Sequence, residues 1–168
     1  MAEIICAIHC ENFEEVECIV AQNPENVHIT NWNEWTPLDV SIAYGRLEMA
    51  QFFWEKDGQP NREKYCDGKW TPVHCAVSHG HTETLEWAFD NGVLSLDVLC
   101  VEDDMGKTPL GCAIERNQQE IVVFLLEQET AALLLEQETA ALLLKQKTAA
   151  LLHKQKTAAL LLKKKQIV

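Results

Sequence analysis

Trp35-Thr36-Pro37-Leu38, Trp70-Thr71-Pro72-Val73 and Lys107-Thr108-Pro109-Leu110 are three spellings of one phrase. The threonines stand 35 and then 37 residues apart, and a period in that range marks a chain built from stacked repeats. Each phrase opens a helix for a physical reason. The Thr hydroxyl can accept from a free N–H of the first turn, and Pro at the first helical position lacks the N–H that would go unpaired.

Outward from each Thr-Pro runs a short apolar helix, DVSIAY (39–44), HCAVSH (74–79) and GCAIER (111–116). The first two run into Gly45 and Gly80, where a tight turn is expected, and the third into Asn117, a residue that tolerates left-handed backbone. A second helix follows in each unit, RLEMAQFFWEK (46–56), HTETLEWAFDN (81–91) and QQEIVVFLLEQ (118–128). Met49, Phe52 and Phe53, like Leu85, Ala88 and Phe89, recur at helical spacing and are expected in a core. Trp54 and Trp87 lie on these helices and read as packing residues. The N-terminal segment fits the same frame without its Thr-Pro, with AEIICAIHC (2–10), Asn12 at the turn and FEEVECIVAQ (13–22).

The T-P-L-H-x-A phrase with Gly nine residues after its Thr resembles the ankyrin repeat, and the resemblance covers about three-quarters of the chain. Asp39 and Gly111 stand where the family places His, while His74 keeps it, and Cys66-Asp67-Gly68-Lys69 carries its Gly one place early. The resemblance implies an all-α solenoid of stacked helix-turn-helix units over 1–128, with units 1–34, 35–69, 70–106 and 107–128. One helix pair cannot bury both apolar faces, so about three or more units must stack to be stable. The family's binding positions, finger tips and the inner face of the first helices, fall here on Trp32, Asn33, Trp35 and Tyr44, then Asp67, Trp70 and His79, then Asp104, Met105, Lys107 and Arg116. Trp, Tyr, Met and Arg are also interface-rich residue types. Trp35 and Trp70 have a second reading, packing on the neighbouring finger, which leaves Trp32 as the better anchor.

From Glu129 a nine-residue unit repeats as ETAALLLEQ, ETAALLLKQ, KTAALLHKQ and KTAALLLKK. It aligns with EIVVFLLEQ (120–128), the second helix of the last unit, which points to local duplication. No Gly or Pro follows Gly111, so one continuous helix is expected through the tail, 129–168, spanning about 76 Å from residue 118 at about 1.5 Å per residue. Nine residues make about two and a half turns, so successive Leu triplets point to opposite sides. This is no heptad coiled coil. Leu exposed all round favours self-association, and the alternative is a low-complexity expansion without selected function.

Charge bounds the partner. The chain carries 26 acids against 14 bases. Up to Leu126 there are 22 acids and 7 bases, net −15, and from Glu127 4 acids and 7 bases, net +3. An acidic body disfavours nucleic acid, whose binding rests on Lys and Arg, and suits a basic or mixed-charge protein. Lys163-Lys164-Lys165 reads as a solubilising cluster ahead of a weak nuclear signal. The start MAEIICAIHC lacks a basic region and a long apolar run, no stretch is long enough to span a membrane, and the seven cysteines show no dense disulfide spacing. An intracellular, cytoplasmic setting follows, with the nucleus as alternative and thiols serving mostly as small core residues.

No catalytic motif stands out: no GxSxG elbow, no Walker loop, no HExxH pair. His74, Cys75, His79 and His81 cluster in sequence, but a repeat His and a post-turn His explain them better than zinc, so no metal and no cofactor is expected. The reading is a non-catalytic adaptor or scaffold that binds another protein. Its rivals are an assembly protein acting through the tail, a small enzyme or metal protein, and a piece of a larger signalling protein.

Overall fold

The computed structural model describes residues 2–61 and 70–165, with side chains from Glu3 to Asn61 and from Trp70 to Thr148. All regular elements among the described residues are helical. They are α1 (Ala2–His9), α2 (Phe13–Gln22), α3 (Pro37–Ala43), α4 (Leu47–Glu55), α5 (Pro72–His79), α6 (Thr82–Asp90), α7 (Pro109–Glu115) and α8 (Gln119–Lys165), with short 3-10 turns at Pro24–Val27 and Leu96–Cys100. The fold is the expected stack of helix pairs ending in a long C-terminal helix.

Each Thr-Pro does what its chemistry suggests. Thr36, Thr71 and Thr108 are N-caps, each accepting from the N–H three residues on, with Pro in the first turn. At the other end of each first helix one residue turns left-handed: Glu11 (φ 56°), Gly45 (67°), Gly80 (81°) and Asn117 (57°). The N-terminal turn therefore centres on Glu11, and Asn12, expected there, instead caps α2 by accepting from the Glu15 N–H. Asn12 is better used as a cap, because its short side chain reaches the exposed first-turn N–H groups.

The pairs stack in chain order, α1 on α3, α3 on α5, α5 on α7, and α4 on α6. One continuous core results. First helices supply Ile4, Ile8, Leu38, Ile42, Val73, Val77 and Ala113, and second helices supply Val16, Val20, Met49, Phe53, Leu85, Ala88, Ile121 and Leu125. Gly45 shows how closely units approach, because a Cβ there would sit 2.4 Å from the His81 ring.

The chain divides into two compact units, Met1–Glu129 and Thr130–Val168. α8 runs unbroken for 47 residues, and Leu133–Leu135 and Leu142–Leu144 on it are each more than half exposed. Thiol placement departs from expectation. Cys75 and Cys112 are buried, but Cys6, Cys10, Cys18 and Cys100 are exposed. Cys66 lies outside the described residues.

Candidate protein-binding surface

Two fingers, each just before a Thr-Pro, share one hydrogen-bond plan. In the first, Asn31 N–H donates to the Trp35 carbonyl at 2.9 Å and Glu34 N–H to the Asn31 carbonyl at 2.9 Å. The Asn31 side-chain oxygen accepts from the N–H groups of Asn33 (2.9 Å) and Trp35 (3.0 Å). In the second, Asp103 N–H donates to the Lys107 carbonyl at 2.9 Å and Gly106 N–H to the Asp103 carbonyl at 3.0 Å. The Asp103 carboxylate accepts from Met105 N–H (2.9 Å) and Lys107 N–H (2.8 Å). Glu34 and Gly106 hold the matching left-handed positions, φ 64° and 73°. One side chain thus fixes each finger from within, so the tip is presented on a set backbone.

Trp32 is 89% exposed and Met105 64% exposed, with Asn33 and Asp104 exposed beside them. Trp35 does not belong to this surface: it is 9% exposed and part of the core. Asn31 holds the Trp35 backbone N–H, and the indole is buried among the core residues. Trp70 is half-buried against the core, its ring 5.7 Å from that of His74. Lys107 has structural duties. Its carbonyl accepts from His74 Nε2 at 2.9 Å and its ammonium meets Glu115 at 2.5 Å, a hydrogen bond that pushes the Lys107 pKa up. Asp67 lies outside the described residues.

Along the first helices, the residue just before each left-handed turn is exposed: Cys10, Tyr44, His79 and Arg116. Tyr44 rests edge-on against His9 at 4.4 Å, and His79 stacks on His81 at 5.8 Å and donates from Nδ1 to the Cys75 carbonyl at 2.9 Å. Cys10 is the member that sequence reading missed, because its unit lacks the Thr-Pro that sets the register.

Beneath the fingers, positions 39 and 74 each bind a backbone group further along the chain. Asp39 accepts from Thr36 N–H (2.9 Å) and also from Asn61 N–H (3.0 Å). His74 takes the same place one unit on: Nδ1 lies 2.7 Å from the Thr71 hydroxyl and Nε2 donates to the Lys107 carbonyl. A carbonyl only accepts, so Nε2 carries the proton and Nδ1 accepts. Burial pushes the His74 pKa down from its ordinary 6.5, against the smaller upward pulls of the Lys107 carbonyl and Asp103. Burial would push the Asp103 carboxyl up, yet the N–H groups of Lys107 and Met105, with His74 and Lys107, hold it below the ordinary 3.8.

His74, Asp103 and Cys112 bring a nitrogen, a carboxylate oxygen and a sulfur within 4.8 Å of one another, all buried. This trio differs from the sequence cluster around His79 and His81, since residues 103 and 112 meet position 74 only through stacking. Its atoms already serve the fold. Nε2 serves Lys107, one Asp103 oxygen takes two N–H groups, and the other faces the Cys112 thiol at 3.9 Å. Burial also pushes the Cys112 thiol up, away from the thiolate a metal takes. The trio is a brace between units.

Comparison with known proteins agrees with this geometry. A family model described as ankyrin repeats, three copies, matches residues 57–139. The chain is an ankyrin-repeat protein. It is 29% identical over 90 residues to ankyrin repeat and SAM domain-containing protein 6 of Rattus norvegicus, covering 54% of this chain and 10% of the relative, and 28% identical over 90 residues to its Mus musculus counterpart, with the same coverage. Over 56 residues it is 45% identical to transient receptor potential cation channel subfamily A member 1 of Homo sapiens, covering 33% of this chain and 5% of the relative. The chain thus spans a tenth or less of the length of these relatives. Ankyrin repeats are in general protein–protein interaction modules, and the family is typically non-catalytic. Among the described residues no helix is long and apolar enough to cross a membrane.

Proposed function

We propose that this ankyrin protein is a non-catalytic adaptor or scaffold that holds a partner protein across the finger tips and the exposed line of the first helices. The observation that carries this reading is Trp32, an indole 89% exposed on a finger whose backbone is fixed by Asn31. An exposed Trp on a set backbone gives large contact area with little ordering cost. Asn33, Asp104, Met105, Tyr44, His79 and Arg116 complete the surface; Asp67 remains a candidate from sequence.

Charge supports a basic or mixed-charge partner and not nucleic acid. The chain up to Leu126 carries net −15, and two of its bases, Arg46 and Lys107, are already paired with Glu11 and Glu115. The setting that fits is the cytoplasm.

Trp32→Ala tests the reading in affinity capture against the unaltered chain. Partner affinity should fall about tenfold or more, with Tm shifted by less than about 3 °C, as for a surface change. Unaltered capture, or a large loss of Tm, would remove Trp32 from the partner surface. A second reading, assembly through the tail, is favoured by the exposed leucines of α8.

A further inference from the structure

The exposed leucines of the tail do not by themselves say what covers them, but the order of charges does. Within 127–165 all four acids, Glu127, Glu129, Glu136 and Glu138, precede all seven lysines, from Lys145 to Lys165. The unit of repetition keeps the charged sites at fixed spacing, so the two sets form matching ladders. Glu129 and Lys163, Glu136 and Lys156, and Glu138 and Lys154 each stand at equal distances on either side of Gln146. Only Lys145 and Lys147 make a like-charged pair across that centre.

The apolar positions have a symmetry of their own. At about 100° per residue, positions 133, 140, 144, 151, 158 and 162 fall on one side of α8 and hold Leu, Ala, Leu, Leu, Ala and Leu. Leu133 with Leu162, and Leu144 with Leu151, are symmetric about a point midway between residues 147 and 148, about half a turn from Gln146. Half a turn away, positions 131, 135, 142, 149, 153 and 160 make a second stripe, Ala, Leu, Leu, Ala, His and Leu. Among the described side chains, Leu133 is 59% exposed and Leu144 64% exposed.

We infer that the tail pairs with the tail of a second copy of this chain, antiparallel and centred near Gln146, with the Glu half of each helix lying along the Lys half of the other. A parallel pair sets Glu against Glu and Lys against Lys along its whole length, and like charges held side by side are repelled. Charge order therefore selects direction, while the leucines supply the apolar seam. The inference rests on the reading that the tail is an assembly surface and adds the identity and direction of the partner.

The full chain carrying Glu129→Lys, Glu136→Lys, Glu138→Lys, Lys154→Glu, Lys156→Glu and Lys163→Glu tests it, because this swap keeps composition and reverses order. In light scattering, both the unaltered and swapped chains should show at least twice the monomer mass of 19.0 kDa. Affinity-tagged unaltered chain, mixed at low salt, should capture untagged unaltered chain and lose about tenfold or more of its capture of the swapped chain. Equal helicity by circular dichroism shows that the swap has not unfolded the helix. Monomers throughout, including monomers that attach through the tail to vesicles of anionic lipid, overturn both the assembly reading and the antiparallel pair. Assembly in which tagged unaltered chain captures the swapped chain preferentially keeps self-association and overturns its direction.

Discussion

Asn31 and Asp103 set the fingers, and neither announces itself in the sequence. Each sits five residues before its Thr and acts by accepting two backbone N–H groups. Asp103→Ala leaves the N–H groups of Met105 and Lys107 without that acceptor and should cost about 2–3 kcal/mol in urea unfolding. Asp103→Asn should cost less than about 1 kcal/mol, since Asn31 performs the same task in the other finger. His74 gives the array a pH response. Its folded pKa lies below the ordinary 6.5, so the fold favours neutral imidazole. The stability it contributes is complete above about pH 6.5 and is lost as pH falls below that value. His81, held low first by burial and then by His79 and Arg46, acts with the same sign. Asp103 adds a second loss beneath its ordinary 3.8. Tm measured from pH 8 to pH 3 should fall in these two stages. His74→Gln should shallow the first and trim the second only slightly, since the N–H groups of Lys107 and Met105 hold Asp103 low ahead of His74.

At the scale of elements, the repeated turn is the controlling feature. Gly45 needs both a left-handed φ and room for the His81 ring. Gly45→Ala should destabilise the array by about 1–3 kcal/mol in chemical unfolding. Much of this scale was legible in sequence. Thr-Pro marks a helix start by hydrogen-bond chemistry that is local, and so it survives without tertiary information. Gly and Asn likewise mark the turn that follows. The N-terminal unit was harder, because Glu11 adopts a left-handed conformation unusual for its side chain and no phrase fixes the register. Cys10 was missed for that reason. Trp35 stayed open between surface and packing for another reason: its backbone is held by Asn31, and the periodicity of Trp35 itself carries no sign of that bond. The His74–Asp103–Cys112 brace joins residues from two units, so no linear spacing reveals it.

At the scale of the molecule, a continuous core reaches Leu125 and the exposed leucine tail begins within a turn or two beyond it. A chain ending at Gln128 keeps every buried core residue among the described side chains. Its Tm should therefore stay within about 3 °C of the full chain's, a comparison that scanning calorimetry makes directly. The long helix has a further consequence, through copy number. Because each copy advances the helix by two and a half turns, copies alternate between its sides and their number has parity. Replication slippage that adds a single block tips the balance of greasy surface toward one flank. A gain of two restores the balance while lengthening both stripes, so drift in tail length should skew the helix in odd steps and only extend it in even ones.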